Sequence, residues 1–589
     1  MTRRALAAAA LAMALGLAAG CVSLPADGPI RAGPVIDQEA TENDPFFDPP
    51  APGVGDSPAE IVRDFLDSMT ANPLTTRVAR QYLTEAASSS WTPEARTVIY
   101  GSVGLSVDND LVRTRLGSAI ELGGRGEWLG PPVGGTVSHQ LDLVREDGEW
   151  RISNPLNALI VPESYFENRF QQYSLYFFDK SAQILVPEPV YLPVGEATPT
   201  LLIRGLLRGP DQDLLGATRT FIPASTKIDL SVPVTRAGVA EVPLFDDVLD
   251  LSAEDLRMVS AQLVWTLGQV TGVRAVRLTV DGSPLDVEGV GTEQDVGTWP
   301  DFDPKVNWAS EELFGIREGH VVTLVGDEER RISGLFGSEA VGIRGIAVDL
   351  AAERVAAVSS DGTTVTVAPR ERESGEVPSP AAGGVIYDGG TDVLRPGWDL
   401  YGQVWLVDNT RRGAVLSVVR EGTTTRLTAP GISGQAVKAF ELSRDGTRLV
   451  AVVSTAEGDR LVLSRVMRGE DGSVRRVAPA SVLPVGAFEL DEIRDLDWRT
   501  PETVALLSGP NTGLSQVIIT RIDGSSALGD VASNPEIFRS EAHRIVTSPA
   551  EGAPLFVGTN RGQLFELASD GRWTGTGIKT GLLSPTFVG

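Results

Sequence analysis

Apolar positions along this chain change period several times, and each change announces a different element. Ile61, Val62, Phe65, Leu66 and Met69 recur at helical spacing. Ser57-Pro58-Ala59-Glu60 stands just before them, where serine caps, proline takes the first helical position and glutamate completes a capping box. Asn72-Pro73 stops the run, and a second helix is expected to carry Val78, Tyr82 and Leu83. From Thr97 the period falls to two. It ends in a hairpin, with strands Leu141-Asp142-Leu143-Val144 and Glu149-Trp150-Arg151-Ile152 around the turn Asp147-Gly148. Helices followed by an antiparallel sheet predict an α+β domain over residues 57–170.

A new unit opens at Tyr173-Ser174-Leu175-Tyr176-Phe177-Phe178. Thr198-Pro199 heads a helix from Thr200 to Leu207, ended by Gly209-Pro210. Strands are expected near Phe221 to Val232 and Val239 to Leu244. Ser252 then caps the most periodic helix of the chain, whose stripe is Leu256, Val259, Leu263, Val264, Leu267 and Val270. Gly272 ends it, and Val276, Leu278 and Val280 alternate towards the turn Asp281-Gly282. The pattern predicts an α/β module over 171–290. Residues 291–318 read as an acidic, loop-like connector. Asp286, Glu288, Glu293, Asp295, Asp301 and Asp303 raise the question of calcium, but no D-x-D-x-D-G loop ending in glutamate is present, so a solvated connector is expected.

Residues 319–589 repeat. Equivalent first-strand positions are Val348, Trp398, Leu442, Trp498 and Thr547, and second strands include Val404-Trp405-Leu406-Val407 and Leu449-Val450-Ala451-Val452. Repeats of three or four short strands bury their faces only against neighbours, which predicts a β-propeller of five to six blades. His320 to Val325 and Thr586 to Val588 are left over by a count of five and are expected to meet in a composite sixth blade. The chain is thus read as multidomain, with its α+β, α/β and all-β parts in that order.

The first residues change where all of this resides. Arg3 and Arg4 precede an apolar run from Ala5 to Ala19, then Gly20 and Cys21. The run is shorter than the roughly 20 residues of a membrane span. Leu17-Ala18-Ala19-Gly20-Cys21 reads as a lipobox, so 1–20 is a lipoprotein signal peptide cleaved between Gly20 and Cys21. Cys21 is the only cysteine of 589 residues. As the new first residue it is expected to carry S-diacylglycerol and an N-acyl group, and buried acyl chains would hold the protein at the cell membrane on its extracytoplasmic face. Residues 21–56, rich in proline and glycine, form a disordered spacer that extends about 3.1 Å per residue where it is polyproline-like.

Charge and composition exclude several functions. With 78 acidic residues against 51 lysines and arginines, the net charge is −27, and such a chain lacks the cations that displace counterions from nucleic acid. With His139, His320 and His543 the only histidines and no second thiol, no metal site of the usual kind is expected. No cofactor motif and no G-x-S-x-G elbow appears, so no catalytic residue is assigned. Acids at Asp399, Asp408, Asp445, Asp491, Glu492, Asp495 and Asp497 leave a glycan-cleaving propeller as an alternative. Sugar stacking on Trp398, Trp405 and Trp498 would make it a glycan-binding one, although their strand positions favour the core.

Three stretches carry resemblances. Asp147-Gly148-Glu149-Trp150-Arg151-Ile152 is similar to the last strand of cone-shaped cystatin-like or nuclear-transport-factor-like domains, which implies a cone-like fold for 57–170. Leu175-Tyr176-Phe177-Phe178, Leu206-Leu207-Arg208-Gly209-Pro210 and Val276-Arg277-Leu278-Thr279-Val280-Asp281-Gly282 resemble the GerMN domain of sporulation and germination proteins, an extracytoplasmic assembly module. With Arg395-Pro396-Gly397-Trp398-Asp399, leading to Val404-Trp405-Leu406-Val407-Asp408, the order of parts resembles the actinobacterial lipoprotein LpqB family. That resemblance implies a non-enzymatic, membrane-anchored accessory to the sensor kinase of an MtrA/MtrB two-component system, acting in envelope homeostasis and division. Its expected partners are the membrane, through lipid, and the extracytoplasmic domain of an MtrB-like histidine kinase.

Overall fold

The computed structural model describes residues 47–589 except 212–213, 229–230, 307, 326–327, 371–383, 486–491, 510–512 and 526–535. Asp48–Gly589 form one compact unit. The last residues assigned to the spacer belong to it. Tyr82 is buried and its hydroxyl needs an acceptor, which Pro50 O supplies at 2.9 Å, while Asp48 pairs with Arg77 at 2.9 Å and Gly55 N donates to Glu149 Oε2.

The helix Pro58–Asp67 starts at Ser57 with both arms of the capping box made, and it buries Ile61, Val62, Phe65 and Leu66. The expected second helix is different. Leu83 bridges to Ile152, which leaves only a tight turn at Ala79–Tyr82 before a short helix, Glu85–Ser90, capped by Thr84. Two four-stranded sheets cover the helices. One orders Trp128–Gly130, Ile120–Gly123, Arg96–Tyr100 and Leu159–Pro162; the other orders Ser102–Asp108, Leu111–Gly117, Thr136–Glu146 and Glu149–Ile152. The closing hairpin turns at Asp147 and Gly148, both at positive φ.

In the α/β module, Phe170–Asp179 pairs with Leu185–Pro193, and Val239–Leu244 runs parallel to Ala275–Val280. The helices Thr198–Leu207 and Ala253–Gly268 share one core with these strands. Among its described residues, 221–228 and 231–232, the next stretch does not form the expected strand. Phe221 N is satisfied by the Gln262 side chain at 2.9 Å, and of these residues Ile228 alone bridges, to Leu244.

The acidic connector is also corrected. Gln294–Asp295 adds to the Ala275–Val280 strand, and Trp299 is buried with its indole N–H on Gln294 Oε1 at 3.0 Å. Leu313–Arg317 is a strand of the following domain, although it lies in the stretch read as loop. Its faces are buried in two apolar clusters, Leu313 in one and Phe314 with Ile316 in the other, and strands pair with both of its edges.

Those strands are His320–Val325 and the C-terminal Leu583–Thr586. The ring therefore closes through Leu313–Arg317 and not by direct pairing of His320–Val325 with the C-terminus, while Val588 bridges to Val348. Five more antiparallel sheets follow, beginning at Ile343–Val348, Gly397–Trp398, Ala436–Leu442, Ile493–Thr500 and Arg544–Val546. With Leu583–Thr586 these first strands adjoin in a closed circle, and apolar clusters fill the spaces between successive sheets. Architecture of this kind is multidomain and mostly β, with a propeller at its C-terminal end.

Candidate functional site

Gly20 and Cys21, the cleavage and lipidation residues read from sequence, lie outside the described residues. Among the described residues no helix is long and apolar enough to cross a membrane.

Charged residues converge at the axis of the ring. Arg395 precedes the Gly397–Trp398 strand, Glu441 lies on Ala436–Leu442, and Asp495 and Asp497 lie on Ile493–Thr500. The Arg395 guanidinium forms an ion pair with Glu441 in which both side chains are about nine-tenths buried. Asp495 Oδ2 accepts from Ile545 N at 3.1 Å, and Asp497 Oδ2 from Thr547 N at 3.0 Å. Each aspartate thus latches one inner strand to the next. Burial raises the Asp497 carboxyl well above its ordinary value, and the Glu441 charge adds to the shift. Burial likewise raises Glu441, against the pull of Arg395. Burial works against the Arg395 charge, but the facing Glu441, Asp495 and Asp497 overcome it, so its proton is held more tightly.

The other acids are committed too. Asp408 Oδ1 accepts from Thr391 N and Asp392 N, Asp445 pairs with Arg448 at 3.1 Å, and Glu492 pairs with Arg494 at 3.2 Å. Asp491 lies outside the described residues. A glycosidase needs one carboxylic acid and one carboxylate flanking a substrate; here backbone amides and guanidinium groups already occupy the carboxylates. Trp398, Trp405 and Trp498 are all buried, which removes them as sugar platforms. The histidines are dispersed: His139 bonds Asn154 O, His320 bonds Gly337 O, and His543 lies near Glu541.

A second concentration of polar groups joins the three domains. Asp399 Oδ1 accepts from Tyr401 N and Gln403 N, and its Oδ2 accepts from Trp405 Nε1 at 2.9 Å and Arg468 Nη2 at 2.8 Å. Arg468 stands 4.5 Å over the Tyr401 ring. The Tyr401 hydroxyl leaves the ring and donates to Asp179 Oδ2 of the α/β module at 2.5 Å. Burial first, then the Asp179 charge, drives the Tyr401 pKa upward, which keeps the phenol a donor. Alongside it, Arg448 Nη2 donates to Pro187 O at 2.5 Å, and Tyr191 OH shares a hydrogen bond of 2.5 Å with Ser525 Oγ.

The α/β module holds the N-terminal domain by the same means. Arg125 Nη2 donates to Glu188 Oε1 at 2.6 Å with both side chains more than nine-tenths buried, and Nη1 donates to Gly209 O. Tyr191 N donates to Gly126 O at 2.8 Å, and its ring packs 5.3 Å from that of Trp128. A cleft of about 310 Å³ lies where the three domains meet, lined by residues of each, including Trp128, Leu129, Glu188, Arg448 and Pro484. Sequence reasoning missed Asp179, Tyr401, Arg125 and Glu188. Their partners are far away in the chain, and only the recurrence of aspartate at Asp349, Asp399 and Asp445, each just after a first strand, hints at the turns that carry the junction.

Comparison with known proteins finds three matching family models. "Lipoprotein LpqB, N-terminal domain" matches residues 50–167, "Sporulation and spore germination" matches 174–286, and "Lipoprotein LpqB beta-propeller domain" matches 319–575. Lipoprotein LpqB of Thermobifida fusca is 28% identical over 94% of this chain and 95% of its own length. Lipoprotein LpqB of Mycolicibacterium smegmatis is 28% identical over 84% of each chain. Among solved structures, the first GerMN domain of the sporulation protein GerM from Bacillus subtilis is 25% identical over 21% of this chain and 92% of its own, with a TM-score of 0.18.

Proposed function

Because the chain belongs to the LpqB lipoprotein family, we propose that it is a rigid, non-enzymatic adaptor held by lipid on the extracytoplasmic face of the cell membrane, where it modulates a sensor histidine kinase of the MtrB type. The observation that carries this reading is the welded junction. Asp399, Arg468, Tyr401 and Asp179 form one buried chain from ring to α/β module, and Arg125 and Glu188 continue the connection into the N-terminal domain. Breaking one partner of a buried pair leaves an uncompensated charge, which costs about 3–5 kcal/mol. The three domains therefore present a single surface, and a force or contact at the ring is felt at the N-terminal domain.

The cone-like reading of that domain and a count of six blades belong to the same proposal, as do the signal peptide, the acylation of Cys21 and the role in envelope homeostasis and division. An adaptor alters a kinase only through unequal affinity for its states. Catalysis has no such support at the axis of the ring, since Glu441, Asp495 and Asp497 are occupied by strand latches and an arginine.

Crosslinking in intact cells, with mass spectrometry of what is joined to the lysines of the α/β module and ring, tests this reading. Enrichment of one sensor-kinase ectodomain is expected. Recovery of glycan fragments alone, or of no kinase, would remove it. Cys21→Ala is expected to shift the protein from the membrane fraction to the medium.

A further inference from the structure

The N-terminal domain ends one of its sheets on a strand with an open side. Ser102–Asp108 pairs with Leu111–Gly117 in continuous register, from Ser102 opposite Gly117 to Asp108 opposite Leu111, and it is the terminal strand of its sheet. No described residue pairs with its other side. Asn109-Asp110 is a two-residue turn, so Asp108 and Leu111 are a hydrogen-bonded pair. Counting back by two, Ser106, Gly104 and Ser102 also direct their amide and carbonyl groups towards Leu111–Gly117. Val107, Leu105 and Val103 direct theirs outward.

The same three residues carry an apolar stripe. They lie opposite Val112, Thr114 and Leu116, all buried, so they continue the core face of the sheet beyond its cover. Val103 is 47% exposed and Val107 51%. Sheets normally guard such an edge with lysine, proline or a covering loop. This strand is seven residues long, has no proline, and bears one charge, Asp108, at its end.

We propose that this edge pairs with the same edge of a second copy of the chain, antiparallel about a two-fold axis at Leu105. The residue pattern selects that occupant. Antiparallel pairing centred on Leu105 sets Leu105 on Leu105 and Val103 on Val107, with the small Gly104 on Ser106. The register that matches apolar side chains is also the one that satisfies the outward backbone groups of all three residues. Charge permits it despite the acidity of the chain: Asp108 falls opposite Ser102 and not opposite its own copy, and exposed Arg113 and Arg115 stand on the adjoining strand. One strand pair buries less than the roughly 1,200 Å² of a standard interface. The association is therefore weak between free chains and strengthened when two chains are confined to one membrane surface.

Cys21 is the only natural cysteine, so single introduced cysteines report the register. Hydrogen-bonded antiparallel partners have Cα atoms about 5.5 Å apart, within reach of a disulfide or a short bis-maleimide. In membranes carrying the full-length anchored chain, Leu105→Cys is expected to crosslink to a dimer. Val103→Cys and Val107→Cys are each expected to stay monomeric, because each lies about 14 Å from its own copy at 3.4 Å per residue; co-expressing the two restores the crosslink. Adding Val103→Lys and Val107→Lys to Leu105→Cys removes it. The parent chain sets the background. A silent Leu105→Cys together with a silent co-expressed pair overturns the proposal, as does a Val103→Cys self-crosslink, which reports parallel pairing, or capture of Leu105→Cys by a different protein.

Discussion

The sheets of the ring are antiparallel, and those of the N-terminal domain are too except where Leu159–Pro162 runs parallel to Arg96–Tyr100, yet the two treat their edges differently. In the ring the inner edges are covered by neighbouring sheets, and the C-terminal Leu583–Thr586 returns to pair with Leu313–Arg317. Its described outer strands are short, none longer than five residues, and two of them are strongly charged: Glu328–Arg331 is Glu-Glu-Arg-Arg, and Val474–Val477 carries Arg475 and Arg476. Those are the devices by which sheets avoid unwanted pairing. Ser102–Asp108 is seven residues long, with its single charge, Asp108, at the end. The ring thus keeps its described outer strands short, whereas Ser102–Asp108 presents a longer edge, the one proposed for association.

Removing the closing strand would break the comparison most severely. Truncation after Gly581 exposes Leu313–Arg317 as a free edge and withdraws buried Leu582 and Phe587 from the cluster that seals the last sheet to the first. Limited proteolysis is expected to cut residues 313–581 throughout, with loss of a cooperative thermal transition for the ring.

Next in size is the junction. Arg468→Ala leaves Asp399 buried without its guanidinium and the Tyr401 ring without its cation. A loss of about 3–5 kcal/mol is expected in urea unfolding. Looser packing of the α/β module should appear as faster amide exchange around Asp179.

The axial acids sharpen the contrast through pH. Glu441 and Asp497 have folded-state pKa values raised by burial, so between the unfolded and folded values the native ring binds more protons than the unfolded chain. Their contribution to stability is therefore greatest in acid and is lost as pH rises through the folded pKa of each. Asp497→Asn is expected to flatten the fall in melting temperature as pH rises above the ordinary aspartate range, because the raised carboxyl that ionises there is gone. An unchanged slope would place the titrating group elsewhere.

Smallest in stability is the double change Val103→Lys, Val107→Lys. Both positions are about half exposed, so the unfolding free energy is expected to move by no more than about 0.5 kcal/mol, while dimer crosslinking at Leu105 disappears. A large loss of stability would show that the edge is a structural part of its own domain.

Local signals suffice where the cause of an element is local. The Ser57 to Glu60 capping box and the Asp147-Gly148 turn stand where sequence places them. The inner strands of the ring also lie at or directly beside the repeat positions Val348, Trp398, Leu442, Trp498 and Thr547. Errors fell where a distant partner decides. Leu313–Arg317 sits among acidic residues and becomes a strand because Leu583–Thr586 returns to it. Phe221 to Val232 is apolar enough for a strand, yet the Gln262 side chain takes the first amide. Val78 to Leu83 is helical in period, but Leu83 bridges to Ile152.

The sequence by itself determined the order of the domains, the period of nearly every long element, the abundance of acid and the single Cys21, since composition and spacing are written along the chain. Only the tertiary structure decided which acids are spent. Asp399, Asp495 and Asp497 look alike in sequence, and it is the burial of each beside an arginine or a neighbouring backbone amide that turns them from candidate catalysts into latches. The open edge at Ser102–Asp108 was decided there too, because whether a strand has a neighbour is a fact about space and not about its own residues.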